Sequence, residues 1–188
     1  MKNEIKELLK DSKKFRAKLV ANMKQLEDSN ISCKNCTGVC CTVSRNSMQV
    51  TPVEALDLYF YLLENIKDKV ELNNRIEQSI TQYGLDREIY VKGRLLRKNY
   101  TCPLFKFESW GCPVDAELKP LGCLGYNALV SNVVDGENCA SDVNLLEVVE
   151  KEIKEEFDQL NLKIKNILKI DFDKTNIPTA LKYFSYLG

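Results

Sequence analysis

Thiols are the reactive group that this chain concentrates. The sequence holds eight cysteines and no histidine among 188 residues. Four of the eight fall in one short stretch, "CKNCTGVCC", as Cys33, Cys36, Cys40 and Cys41. Cys102, Cys112, Cys123 and Cys139 follow in the second half. Clustered thiolates are ligands for soft metals, and two separated by two residues can hold one ion from a tight turn while backbone N–H groups point at the sulfurs. Gly38 supplies loop freedom before Cys40. A disulfide between the adjacent Cys40 and Cys41 would be strained. Their side chains also tend to diverge, which suits two metals, or a metal and a structural contact, better than one ion.

Neither half of the set is a complete site, so the ligands must converge through the fold. Two Cys-Pro pairs, at Cys102 and Cys112, stiffen their turns in a way common around iron–sulfur ligands. Without imidazole, zinc is left with all-cysteine sites or sites completed by a carboxylate. Eight thiolates divide into two four-ligand sites, or hold one cluster with cysteines to spare. Dispersed, convergent cysteines fit an iron–sulfur centre better than a compact zinc knuckle, and zinc is the alternative cofactor. Competing readings are small buried core residues, strongest for Cys139, a disulfide scaffold, and a thioredoxin-like pair at Cys33 and Cys36, which lacks its βαβ surroundings.

The order "CKNCTGVCC", "CPLF", "GCPV", "KPLGC" resembles the YkgJ-type family, described as a CxxCxxxCC zinc- or iron-chelating domain. The resemblance spans residues 33–139. It implies that Cys33, Cys36, Cys40, Cys41, Cys102, Cys112 and Cys123 bind the metal cofactor, with Cys139 as the eighth. The family usually has arginine before the proline and again after the cysteine of its third segment. Here those residues are Lys119 and Leu124. Longer members resemble a flagellin lysine N-methylase, but no methyl-donor site is visible here and that activity is not carried over. No catalytic residue is assigned.

Helices must position these thiols. Ile5, Leu8, Leu9, Phe15, Leu19, Met23 and Leu26 recur at helical spacing over residues 3–28. "TPVE" combines a capping threonine, a first-turn proline and a capping-box glutamate at Thr51–Glu54, and predicts a helix to about Ile66 after a short strand at Ser47–Val50. A further helix is expected over Lys69–Tyr83, with Val70, Leu72, Ile76 and Ile80 inward and Gly84 as its stop. "LDREIYVKGRLLRKNY" is ambiguous between helix and strand. Residues 101–140 read as loop with short strands. Ser141 or Asp142 caps a long amphipathic helix whose stripe runs from Leu146 to Ile167, and a short helix closes the chain over Ile177–Tyr186. The expected fold class is mainly α, with long N- and C-terminal amphipathic helices flanking a cysteine-rich core of loops and short strands. Residues 1–30 form the N-terminal helix, 31–141 the cysteine-cluster metal-binding domain, and 142–188 a helical segment packing on that domain.

Charge narrows the partners. Lysine plus arginine and aspartate plus glutamate are 27 each, so no global field attracts nucleic acid or an anionic membrane. Arg87, Lys92, Arg94, Arg97 and Lys98, interleaved with Tyr90 and Tyr100, are read as the polar face of an amphipathic segment in preference to a nucleic-acid surface. Tyr126 and Trp110 adjoin the cysteines and can shield them. No stretch of about 18 apolar residues spans a membrane, and no signal-peptide pattern opens the chain. The expected location is the cytoplasm, where clustered cysteines serve as metal ligands or redox centres. The expected function is redox or metal-dependent chemistry on an iron–sulfur centre, with an electron-transfer or other protein partner. The alternative is a binding module with a structural zinc.

Overall fold

Thr51–Glu54 starts the helix around which the other elements pack. In the computed structural model, which describes residues 2–28, 38–107, 111–128 and 139–185, the expected capping box is complete. The Thr51 N–H donates to Glu54 Oε2 at 2.9 Å and the Glu54 N–H to Thr51 Oγ1 at 3.4 Å. Pro52 occupies the first turn of α3 (Pro52–Asn65), where a missing N–H costs nothing. Nine of its residues are buried, from Pro52 to Tyr59 and Leu62. A helix buried on most sides must carry its polar groups in satisfied pairs, and Glu54 and Asp57 of α3 do.

The fold is mainly helical. Helical structure runs through the N-terminal segment as α1 (Lys2–Leu9), a 3₁₀ turn at Ser12–Arg16, and α2 (Ala17–Asp28). The tightened turn buries Ser12, Phe15 and Arg16 together. A 3₁₀ turn at Val39–Cys41 precedes β1 (Gln49–Val50), and α4 (Lys69–Tyr83) follows α3. Asp68 caps α4, and Gly84 ends it in the left-handed conformation at φ +56°. Leu72, Ile76 and Ile80 are buried, but Val70 is 73% exposed, contrary to expectation. Val70 precedes Leu72 by two residues, which places it about 200° round the helix from the buried stripe.

The ambiguous segment after α4 is a β-hairpin, β2 (Tyr90–Val91) with β3 (Arg94–Leu95). A 3₁₀ turn at Ala116–Leu118 leads to α5 (Leu121–Leu124), and β4 (Tyr126–Ala128) pairs antiparallel with β5 (Cys139–Ser141). Asp142 caps α6 (Val143–Leu168) through the Leu145 N–H at 3.0 Å. β6 (Thr175–Asn176) pairs with β1 and leads into α7 (Ile177–Ser185).

α3 packs on α6 and α7, α4 packs on α7, and α2 packs on α5 and α6. Asn161 of α6 accepts the Val53 N–H at 3.0 Å, which ties α6 to the start of α3. One hydrophobic cluster takes side chains from every helix, including Leu19, Leu56, Ile76, Leu124, Ile164 and Phe184. Among the described residues no helix is long and apolar enough to cross a membrane.

Candidate metal centre

Cys41 and Cys102 are brought together by the main chain. The Cys102 N–H donates to the Cys41 carbonyl at 2.8 Å, and the Tyr100 N–H to the Asn46 carbonyl at 2.9 Å. Thr101 Oγ1 accepts the Val43 N–H at 3.2 Å. The two cysteine-bearing segments therefore lie side by side. α4 pins the second of them, with Ser79 Oγ donating to the Thr101 carbonyl at 3.1 Å and Arg75 Nη2 to the Phe105 carbonyl at 2.7 Å. Tyr61 of α3 holds the loop after Cys112 by donating to the Pro113 carbonyl at 2.7 Å.

Gly38 sets the approach of the first segment. It has φ +74°, and a Cβ there would lie 2.3 Å from the Phe105 ring. Gly38→Ala is expected to cost about 1–3 kcal/mol from backbone strain alone, with the ring clash added. Urea denaturation checks this, and an unchanged midpoint would refute the close approach.

A buried polar strap holds the third segment. Glu54 Oε1 accepts the Leu121 N–H at 2.8 Å while Oε2 serves the capping box. One turn along α3, Asp57 pairs with Arg16 at 2.8 Å and accepts from Ser12 Oγ at 3.0 Å. Arg16 Nε in turn donates to the Lys119 carbonyl at 2.9 Å. Arg16 and Asp57 are 1% and 5% exposed, and only Nη2 of the guanidinium goes without an acceptor among the described residues. The strap thus fixes residues 119–121, just before Cys123. The last described cysteine, Cys139, faces Ala128 across the β4–β5 ladder, and Tyr126 Oη donates to its carbonyl at 3.0 Å.

Cys40, Cys41, Cys102, Cys112, Cys123 and Cys139 are in no disulfide, and all six line one cavity of about 1160 Å³. The ionisation of Cys40, Cys41, Cys102, Cys112 and Cys123 is mutually dependent. The Cys40 and Cys41 sulfurs are 4.0 Å apart. The Cys41 thiol stabilises a thiolate on Cys40, which falls to about 7 against the cost of burial, with Lys119 assisting. Cys41 is raised in return, first by that hydrogen bond, then by burial and by the charges of Cys102, Cys40 and Cys123. Burial first, then Cys112, pushes Cys102 up to about 12. Cys123 is driven well up by burial and by Cys112, Cys102 and Cys40. Cys112 is exposed at the cavity wall, yet the surrounding protein is dense enough that burial heads the causes of its upward shift. Lys119 opposes the rise at Cys112 and Cys123.

The donor set fits a thiophilic cation. Sulfur donors select zinc, copper(I) or iron–sulfur clusters over magnesium or calcium, and a cation would offset the burial and mutual repulsion that raise Cys102, Cys112 and Cys123. Among the described residues no group of three Cys, Asp or Glu stands ready to hold one ion. Cys33 and Cys36 lie outside those residues, as does Trp110. Reasoning from sequence missed Arg16, Asp57 and Tyr61, which hold the cysteine loops. The signal for Arg16 was present. Ile5, Leu9, Ser12, Arg16, Leu19 and Met23 form one helical stripe, and a polar pair inside an apolar stripe marks a buried polar network.

These features define a mainly helical protein with a multi-thiol cavity. Comparison with protein-family models, with curated proteins and with solved structures gives no match for the chain.

Proposed function

We propose that the chain is a cysteine-cluster metal protein of the YkgJ type, holding an iron–sulfur centre for redox or metal-dependent chemistry in the cytoplasm. The observation that supports this reading is the convergence of six cysteines on one cavity from segments far apart in sequence. Cys40, Cys41, Cys102, Cys112, Cys123 and Cys139 would hold the centre together with Cys33 and Cys36. An iron–sulfur centre supplies one-electron transfer when bound. The chain's own part is to bring the sulfurs together, to set Lys119 near them as a compensating cation, and to limit the access of water through the packing of α3 and α6. A second reading, structural zinc, is favoured by the hydrogen bonds that fasten Cys41 and Cys102 into the fold, since a structural site is closed and rigid.

Metal and acid-labile sulfide content, with a visible spectrum, on protein purified without oxygen tests both readings. A brown protein with iron and sulfide, bleached by reductant, is the expected result. A colourless protein with zinc and no sulfide would favour the second reading. A metal-free protein whose eight thiols all react with a thiol reagent would overturn both.

A further inference from the structure

The chain leaves its apolar surface in two places. Ten large hydrophobic residues are exposed among the described residues, and eight of them lie either on the β2–β3 hairpin or on α6. Ile89, Tyr90, Val91, Leu95 and Leu96 crowd the hairpin, with Tyr90 60% exposed. Val143, Val148 and Leu162 stand on the solvent side of α6. The hairpin turns at Lys92 and Gly93, with φ of +51° and +75°, a two-residue turn of the kind that matches strand twist. Tyr90 faces Leu95 across the ladder, while Leu96 is hydrogen-bonded to Ile89 at 2.8 Å. Both faces of this two-stranded ribbon are therefore apolar and open to water. Such a ribbon is marginal alone, and an apolar patch of this kind marks a contact surface.

The two surfaces carry opposite charge. Residues 86–98 hold Arg87, Lys92, Arg94, Arg97 and Lys98 against Asp86 and Glu88, in a chain of zero net charge. After a first turn without acidic residues, α6 holds six carboxylates over residues 147–158 against Lys151 and Lys154. Glu152, Glu156 and Asp158 there pair with Lys18, Lys14 and Lys154. Glu147 and Glu155 have no ion pair among the described residues. Val148, Glu155 and Leu162 follow at heptad spacing, so aliphatic and acidic groups alternate along one solvent-facing stripe. The hairpin presents aliphatic and basic groups at similar density. A nucleic-acid platform would call for more than one aromatic residue here, and aliphatic side chains suit protein contact.

We propose that the hairpin of one copy docks on the solvent face of α6 of a second copy, and that the contact is reciprocal about a two-fold axis. One such pairing uses each patch twice and closes on itself. It also bears on the thiols. Arg97 at the base of the hairpin and Glu147 on α6 both belong to the rim of the cysteine cavity, so a hairpin seated on α6 lies at the mouth of its partner's cavity. The pairing does not depend on which metal the cavity holds.

Sedimentation velocity on the reduced protein, over a concentration series at low and high salt, tests this. The wild-type chain is expected to form a dimer that weakens as salt rises, because rim charges are screened. Lys92→Glu with Arg94→Glu is expected to weaken it by about tenfold or more, and Glu147→Lys with Glu155→Lys likewise. All four positions are on the surface, and unchanged thermal melts of the variants would confirm that each folds. Mixing the two variants is the decisive arm. Each repels itself, but the reversed hairpin of one complements the reversed helix of the other, so the mixture is expected to dimerise. A monomeric wild type, a dimer indifferent to both pairs of substitutions, or a mixture that stays monomeric would overturn the proposal. Hairpin-dependent binding of a mixed-sequence RNA by a monomeric protein would overturn it in favour of a nucleic-acid surface.

Discussion

Arg16→Met is expected to destabilise the protein by about 3–5 kcal/mol at neutral pH, the usual cost of leaving one member of a buried ion pair unpaired. Asp57 would lose its partner at 2.8 Å and keep only Ser12. Burial already raises the Asp57 carboxyl above its ordinary value, and Arg16 is the chief influence holding it down. Without Arg16 it rises further. The folded variant then binds a proton at pH values where the unfolded chain has released it. Its stability falls as pH rises from the ordinary carboxylate range through the raised value, and levels off above. The deficit against wild type is therefore smallest in acid. Urea titrations at several pH values check both magnitude and slope. Arg16→Met combined with Asp57→Leu should recover most of the loss, because an apolar pair of similar volume replaces a buried ion pair at little cost. A single variant as stable as wild type at neutral pH would show that the strap contributes nothing. Since Arg16 also holds the Lys119 carbonyl, Cys123 should react faster with an alkylating reagent in the single variant.

If the chain holds the proposed metal centre, Cys102→Ser is expected to remove most of the metal. Loss of an outer-sphere partner typically lowers metal affinity by about 10–100-fold, and loss of a ligand should exceed that. Cys102 is buried and its neighbour across the main-chain hydrogen bond is Cys41. Cys102→Ala, which leaves no buried hydroxyl, separates the packing penalty from the loss of metal. Both variants should be metal-poor, and the alanine form the more stable. Cys139→Ser should lose less, since Cys139 sits on a short ribbon away from the strap. Elemental analysis with thiol titration decides the matter. Full metal content in both Cys102 variants would remove Cys102 from the ligand set.

The helices were legible wherever local chemistry and pattern agreed. α4 has the ends read from its sequence, because Asp68 caps its start and Gly84 stops it in the left-handed conformation. α3 was legible through "TPVE", and α6 through a stripe whose Val149, Phe157 and Ile164 are buried. The hairpin stayed ambiguous because its apolar residues answer to no core, so neither a period of 2 nor one of 3.6 is imposed on them. The inward assignment of Val70 failed because it lies about 200° round the helix from Leu72, so the period that buries Leu72, Ile76 and Ile80 turns Val70 to solvent. At the site, cysteine spacing made the donor type legible and not the geometry. Which sulfurs meet depends on Arg16, Glu54, Asp57 and Tyr61, whose partners lie too far along the chain for any local pattern to reveal.

The Glu54 carboxylate, shared between the start of α3 and the N–H of Leu121, has a consequence for how the thiol cavity forms during folding. Its two ends join residues 67 apart, and the neighbouring Arg16 contact with Lys119 closes a span of 103. Contacts of such separation pay loop-closure entropy before they return any stability. The capping box, by contrast, is complete within four residues and can form early. Cysteines close in sequence are therefore available to a soft cation while the remote ones are still dispersed. Were the proposed metal to bind, it would meet that local set first and the remote sulfurs only with the finished core, so the timing of its supply would affect how much of the chain folds around it.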